Sequence, residues 1–277
     1  MLSGKLSSLI NFSSSTFAKR YDLARRVTYR SKYAEATGEK LPKRERRDII
    51  PLDPAVQLPF AEGKVLLIDK PIHWTSFDMV RKLRGVLQIK KIGHAGTLDP
   101  LATGLLIICT GKFTKSINDF AAQEKEYTGQ ITLGAVTATY DLESTPEQPK
   151  EYAHLTEKEI RTEAEKFVGE IEQRPPMYSA IKKDGVALYE LARKGVEVEL
   201  KARKVTIYQF DITRIELPLV EFKILCSTGT YIRSLANDLG AALGCGAYLS
   251  SLRRTRIGAF SVDNAIPVEE VLTKKDN

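Results

Sequence analysis

Asp99 is set apart from the other reactive side chains by its surroundings. It is the only side chain ionised at neutral pH in the twelve-residue stretch Gly93 to Gly104, GHAGTLDPLATG. Gly93, Gly96, Gly104 and Pro100 in so short a span predict a tightly turned loop, because glycine reaches positive φ and proline fixes its own. The apolar run Leu105 to Cys109 follows. A carboxylate between Leu98 and Pro100, with apolar sequence on both sides, is expected to be partly shielded from water and to need a cationic or hydrogen-bonding partner. That setting suits an acid, a base or a nucleophile. The structural alternative is an aspartate that caps a segment or holds a turn, for which Asp before Pro is a common signal.

Other chemistries find less support. Ser179-Ala-Ile-Lys182 fits the S-x-x-K pattern of serine acyl-transfer enzymes, but the accompanying S-D-N and K-T-G are missing. The chain has neither G-x-x-x-x-G-K-[ST] nor G-x-G-x-x-G, the loops that cradle nucleotide phosphates. Cys109, Cys226 and Cys245 lie far apart and form no metal-spaced cluster with His73, His94 and His154. No metal and no cofactor is therefore expected, and such cysteine usage fits a reducing compartment.

The elements that must position Asp99 can be read on either side of it. Lys64 to Asp69 is a short buried-strand run that stops at Lys70-Pro71. Thr75 and Asp78 form a capping box for a helix with Phe77, Val80, Leu83 and Leu87 at apolar spacing. Arg81, Lys82, Arg84, Lys90 and Lys91 then lead into the loop, a basic approach that a phosphate backbone could use. Beyond it, Leu105 to Thr110 predicts a buried strand, and Glu126 to Gly134 a strand with Tyr127, Gly129, Ile131 and Leu133 on one side. Thr156 and Glu159 cap a helix carrying Ile160, Phe167 and Val168, closed by Gly169. Pro175 and Pro176 forbid regular helix, and a short helix at 188–193 ends at Gly195. Strands follow at Val205 to Phe210 and Val220 to Cys226, then a helix burying Ile232, Leu235, Leu239 and Leu243. The basic piece Leu252-Arg-Arg-Thr-Arg256 precedes Ile257 to Val262. Strands and helices in no strict βαβ rhythm predict an α+β fold with a mixed, mainly antiparallel sheet and flanking helices.

Hydrophobic content of 43% and charged content of 28% are those of a globular protein, and no apolar run is long enough to cross a bilayer. The net charge of +7 sits at one end. Residues 1 to 50 hold twelve Lys or Arg and five Asp or Glu, and 12 − 5 = 7, so the rest of the chain is balanced. Residues 1–60 read as a basic extension, with a short helix at 17–27, that serves as an RNA-binding arm. Its first thirty residues, rich in Ser and Arg, are also similar to an organellar transit peptide. Residues 61–277 read as the folded domain, with no separate C-terminal RNA-binding domain.

The stretch Lys91 to Leu106, KIGHAGTLDPLATGLL, resembles the signature loop of the bacterial tRNA pseudouridine-55 synthases. The resemblance continues in order through Lys70-Pro71 with Trp74-Thr75-Ser76, Lys125 to Gly134, Pro175 to Gly195, Gly229 to Leu235 and Leu252 to Arg256. It implies a pseudouridine synthase fold with the active cleft across the sheet, and residues 61–277 as the catalytic domain. It implies a stand-alone isomerase, without guide RNA or cofactor, that converts uridine 55 in the T arm of tRNA to pseudouridine. In this pattern Asp99 is the nucleophile and Arg233 its ion-pair partner, holding it bidentately. Tyr127 stacks on the flipped uracil and takes part in proton removal from C5. Tyr231 and Leu252 line the pocket, His94 fills the place the flipped nucleotide vacates, and Lys70 and Lys115 contact phosphate. On the residues alone, Tyr127 is equally a strand aromatic, Arg233 a solvent-facing helix residue and His94 an exposed loop histidine. A cytoplasmic monomer with tRNA as its partner follows from the resemblance. The alternative function is a non-catalytic tRNA-folding chaperone on the same fold.

Overall fold

The computed structural model of the protein describes residues 60–268, except 180, 184, 194, 197 and 199. The extension at 1–60, apart from residue 60 itself, and its helix at 17–27 therefore lie outside the described residues.

The domain is built on one mixed sheet. In chain order its strands are β1 (Val65–Lys70), β2 (Ile92–Ala95), β3 (Ala102–Thr110), β4 (Lys125–Leu133), β5 (Gly169–Gln173), β8 (Arg203–Glu216), β9 (Leu219–Cys226), β10 (Ala247–Ile257), β11 (Phe260–Ser261) and β12 (Ile266–Pro267). Across the sheet the order is β12-β1-β3-β10-β4-β9-β8-β5, with β2 paired to β3 and β11 to β10. Only β1 with β12 and β3 with β10 run parallel. Lys182–Lys183 (β6) and Val186–Ala187 (β7) form a separate small hairpin.

Helices cover both faces. On one, α1 (Ser76–Leu87) lays Met79, Val80, Leu83 and Leu87 against Ile68, Leu106 and Ile108. On the other, the short α2 (Ile117–Ala122) meets Leu105, Ile107 and Cys109. β3 is thus buried on both sides, which is why its sequence is a continuous apolar run rather than an alternating one. Each fully buried Leu or Ile there contributes about 1.5–3 kcal/mol. The larger core lies beneath β4, β8, β9 and β10, where α3 (Glu157–Glu165) and α5 (Ile232–Ala242) supply Ile160, Ala164, Leu235 and Leu239. The remaining helix, α4 (Leu188–Arg193), follows β7 and stops before Gly195 at φ 71°.

Both predicted capping boxes are present, at Thr75/Asp78 and Thr156/Glu159. Three readings change. Gly93 to Gly104 is not one loop: 92–95 pair with 107–110 as β2, and β3 already begins at Ala102. Gly93 still serves β2, because a Cβ there would come within 2.7 Å of Ile117. Phe77 is 62% exposed, leaving the α1 stripe to Met79, Val80, Leu83 and Leu87. The basic piece at 252–256 lies inside β10, between β3 and β4 in the middle of the sheet.

Candidate active site

The Asp99 turn is pinned from two sides. The hydroxyl of Ser76, the first residue of α1, accepts from the Leu98 N–H at 2.9 Å and donates to the Leu98 carbonyl at 3.2 Å. The N–H of His73, at φ 68°, donates to the Pro100 carbonyl at 2.7 Å. Leu98 itself is buried in the larger core with Tyr127. These ties leave little freedom to the backbone on either side of Asp99, whose side chain is 37% exposed.

Arg233 comes from the first turn of α5. No side chain of Tyr231 caps that helix. Instead the fully buried Gln173, at the end of β5, accepts from the Tyr231 N–H at 2.7 Å and donates to the Tyr231 carbonyl at 3.0 Å. Arg233 thereby points inward, 4% exposed as a residue, and not to solvent. Its Nε lies 2.9 Å from Asp99 Oδ2 and 3.5 Å from Asp141 Oδ2. Nη1 and Nη2 donate to the carbonyls of Thr139 and Tyr178, each at 3.0 Å. The expected bidentate pair is therefore replaced by a single ion contact through Nε, while Nη1 and Nη2 each hold a backbone carbonyl. Burial works to lower the pKa of Arg233, and the Asp99 and Asp141 carboxylates outweigh it and raise it.

Asp141 is a site residue that sequence reading missed. It lies in the polar connection after β4, bridged to Leu249 of β10, and its carboxylate accepts from Thr139 Oγ1 at 2.6 Å and the Glu143 N–H at 2.8 Å. Burial raises its pKa, against the lowering pull of Arg233. Nothing in the string TATYDLEST distinguishes it from a turn aspartate; only the folded chain brings it to Arg233.

A cleft of about 390 Å³ opens in front of this pair. Its wall includes Asp99, Tyr127, Tyr231, Arg233 and Leu252, five of the residues expected there. Tyr127 is 8% exposed; burial raises the pKa of its phenol, and the Arg254 guanidinium opposes the rise. The same wall holds Lys125, Arg203 and Arg254, which the sequence reading did not assign to the site. Arg203 stacks its guanidinium 4.7 Å from the Tyr231 ring centroid, a cation–π contact that fixes the ring. Buried Lys125 donates to the carbonyls of Ala121 and Gln123, and desolvation brings its pKa down to about 8.

Three predicted residues stand elsewhere. Lys70 has no exposed surface; its ammonium donates to the carbonyls of Pro71 at 2.9 Å and Trp74 at 2.6 Å. The phosphate contact expected of it is closed off, since a group so enclosed does not face RNA. Burial lowers its pKa to about 7, with Asp99 pulling the other way. Lys115 is exposed on the 3-10 turn Gly111–Ser116 and does not line the cleft. His94 sits on β2 outside the cleft wall, half-buried, with Nδ1 enclosed and without a hydrogen-bond partner. Burial, and then the charge of Arg254, lower its pKa and favour neutral imidazole. Ser179 of the S-x-x-K pattern is buried.

Comparison with known proteins accords with this geometry. Residues 84–232 match the family profile described as TruB family pseudouridylate synthase (N terminal domain), and 233–276 match that of the tRNA pseudouridylate synthase B C-terminal domain. The chain is 55% identical over 216 residues to the tRNA pseudouridine synthase B of Flavobacterium johnsoniae, covering 76% of this chain and 94% of that one. It is 49% identical over 218 residues to the tRNA pseudouridine synthase B of Chloroherpeton thalassium, covering 77% and 90%. Among solved structures, a chain of a Cbf5-Nop10-Gar1 complex aligns with TM-score 0.62 at 30% identity, covering 80% of this chain and 58% of that one. A chain of an H/ACA RNP bound to a substrate RNA containing 2'-deoxyuridine aligns with TM-score 0.58 at 28% identity, covering 77% and 53%. The chain thus spans little more than half the length of either structural neighbour. With both profiles matched in tandem over 84–276, and close relatives covered nearly end to end, this chain belongs to the TruB family of pseudouridylate synthases.

Proposed function

We propose that this protein isomerises uridine 55 in the T arm of tRNA to pseudouridine, with Asp99 as nucleophile. The observation that carries the reading is Asp99 held 2.9 Å from buried Arg233 at a cleft that Tyr127 and Leu252 also line, in a chain of this family. The cleft volume falls in the range of about 300–1,000 Å³ typical of small-ligand sites. A uridine flipped out of the RNA costs a few kcal/mol, and stacking on an aromatic ring such as Tyr127 returns about 1–3 kcal/mol. Attack by Asp99 lets the N1–C1′ bond break. The base then turns, C5 joins C1′ and Asp99 is released; the proton lost from C5, with Tyr127 taking part, is matched by one gained at N1. Atoms and electrons balance within the nucleotide, so no oxidant or cofactor enters. Tyr231 holds the pocket wall, and His94 takes the place of the flipped base by stacking, a task that suits a neutral ring.

Residues 61–277 act as the catalytic domain. Arg233, the first residue of the second family match, supplies the site, and β10 from the same match lies in the sheet centre, which supports reading the two matches as one unit. The enzyme works as a cytoplasmic monomer without guide RNA. The Pro100-Leu-Ala-Thr-Gly104 form of the loop, like that of the bacterial members, supports the reading without guide RNA. The test uses unmodified tRNA transcript tritiated at uracil C5, incubated with the protein alone and a chelator. About one tritium released per tRNA is expected, since one C5–H is lost per isomerisation. Release should vanish when the T-arm uridine is replaced by cytidine. No release from folded tRNA by folded protein would leave the non-catalytic tRNA-binding role as the better account.

A further inference from the structure

Among the described residues Arg254 is the largest fully buried side chain, 1% exposed in the central strand β10, and no carboxylate among them forms an ion pair with it. A buried charge without a counter-charge is costly, so its placement calls for a reason. Its contacts supply one. Nε donates to the Leu105 carbonyl at 2.8 Å and Nη2 to the Gly96 carbonyl at 3.0 Å. Those two carbonyls stand at the two ends of the segment that carries Asp99, so one planar guanidinium closes the turn between β2 and β3 like a clasp. Gly96 is at φ 76°, with Arg254 Nη1 3.4 Å from where a Cβ would stand, so the approach is close. At Gly104 the β10 backbone comes closer still: a Cβ would lie 2.3 Å from the Arg254 carbonyl. In the β4–β10 ladder Arg254 stands directly opposite Tyr127, and directly opposed residues of an antiparallel pair share a face. Both line the cleft.

We propose that Arg254 is a positioning residue of the isomerisation, fixing both ends of the turn that carries Asp99. The proposal rests on the reaction given above. A guanidinium suits this task because its planar fork reaches two acceptors at once. Lysine, a point charge, keeps the charge but not the fork.

Two variants test the clasp. Arg254→Met removes fork and charge; Arg254→Lys removes the fork alone. Single-turnover pseudouridine formation on the tRNA transcript is followed at saturating protein, with tRNA binding measured in parallel. For both variants the rate should fall about tenfold or more while the tRNA Kd stays within about threefold. An undiminished Arg254→Lys rate overturns the clasp, as does a tRNA Kd weakened in proportion to the rate. If Arg254→Met fails to fold, the lysine variant still decides the point. Absence of turnover by the wild-type protein would strike the reaction itself, a failure visible before any variant is made.

Discussion

On the proposed reading the reaction hangs on the Asp99 carboxylate, and its surroundings predict how its loss reads out. Asn keeps the shape and an accepting oxygen but cannot form the covalent bond. Asp99→Asn should therefore bind tRNA with affinity close to that of wild type and release no tritium; appreciable turnover by that variant would remove Asp99 from the nucleophile role. The three arginines of β10 show how differently one residue type behaves within a few positions. Arg253 grips Asp69 through two bonds of 3.0 and 2.7 Å, and Arg256 donates to Glu124 at 2.9 Å. Arg254 goes to carbonyls of the Asp99 turn. What reads in the sequence as a basic piece is in the fold a set of internal ties.

Among the elements, α1 does the most for the site although none of its side chains lines the cleft. Its capping box sets its first turn, where the Thr75 hydroxyl accepts from the Asp78 N–H at 2.9 Å. Ser76 in that turn then holds Leu98. Ser76→Ala removes both bonds and leaves the Leu98 N–H buried without a partner, a loss of about 1–3 kcal/mol. We expect lowered denaturant stability and a kcat reduced more than tRNA affinity, because the turn bearing Asp99 loosens while the RNA surface stays. Equal losses in kcat and affinity would argue that α1 shapes the RNA surface instead. β5 plays the matching part for Arg233, since Gln173 at its end caps α5.

For the whole molecule, pH and salt are the informative variables. Lys70 has a folded-state pKa of about 7 against an ordinary value of 10.5. Between those values the unfolded chain binds a proton that the folded one does not, so stability should rise as pH increases through that window and level off below about 7. Lys125, at about 8, adds in the same sense. Urea melts from about pH 7 to about pH 9 should show wild type gaining stability relative to Lys70→Met. Parallel curves would mean that the Lys70 ammonium is better solvated than its enclosure implies. The excess charge of the chain lies within residues 1–50, so deleting residues 1–55 should weaken tRNA binding and flatten its dependence on salt, since fewer counterions are then released. An unchanged salt slope would rule out the arm as an RNA contact.

What the sequence determined by itself is local and periodic: the capping boxes at Thr75 and Thr156, the buried run of β3, the alternation of β4 and β9, and the Asp99 stretch that resembles one family throughout. These are legible because propensity, spacing and turn chemistry act over a few residues. Asp99, Arg233, Tyr127, Tyr231 and Leu252 could be named in advance, and the fold gathers them at one cleft. Tertiary structure alone decided the rest. Asp141, 42 positions from Asp99 (141 − 99 = 42), meets Arg233 only because the connection after β4 crosses to β10. Arg254 and Lys70, charged in the sequence and so expected at the surface, are buried because backbone carbonyls left over by turns stand within reach of their donors. Sequence spacing does not register such long-range satisfaction of polar groups, whereas the cost of leaving them unpaired inside the protein does much to decide where these side chains go.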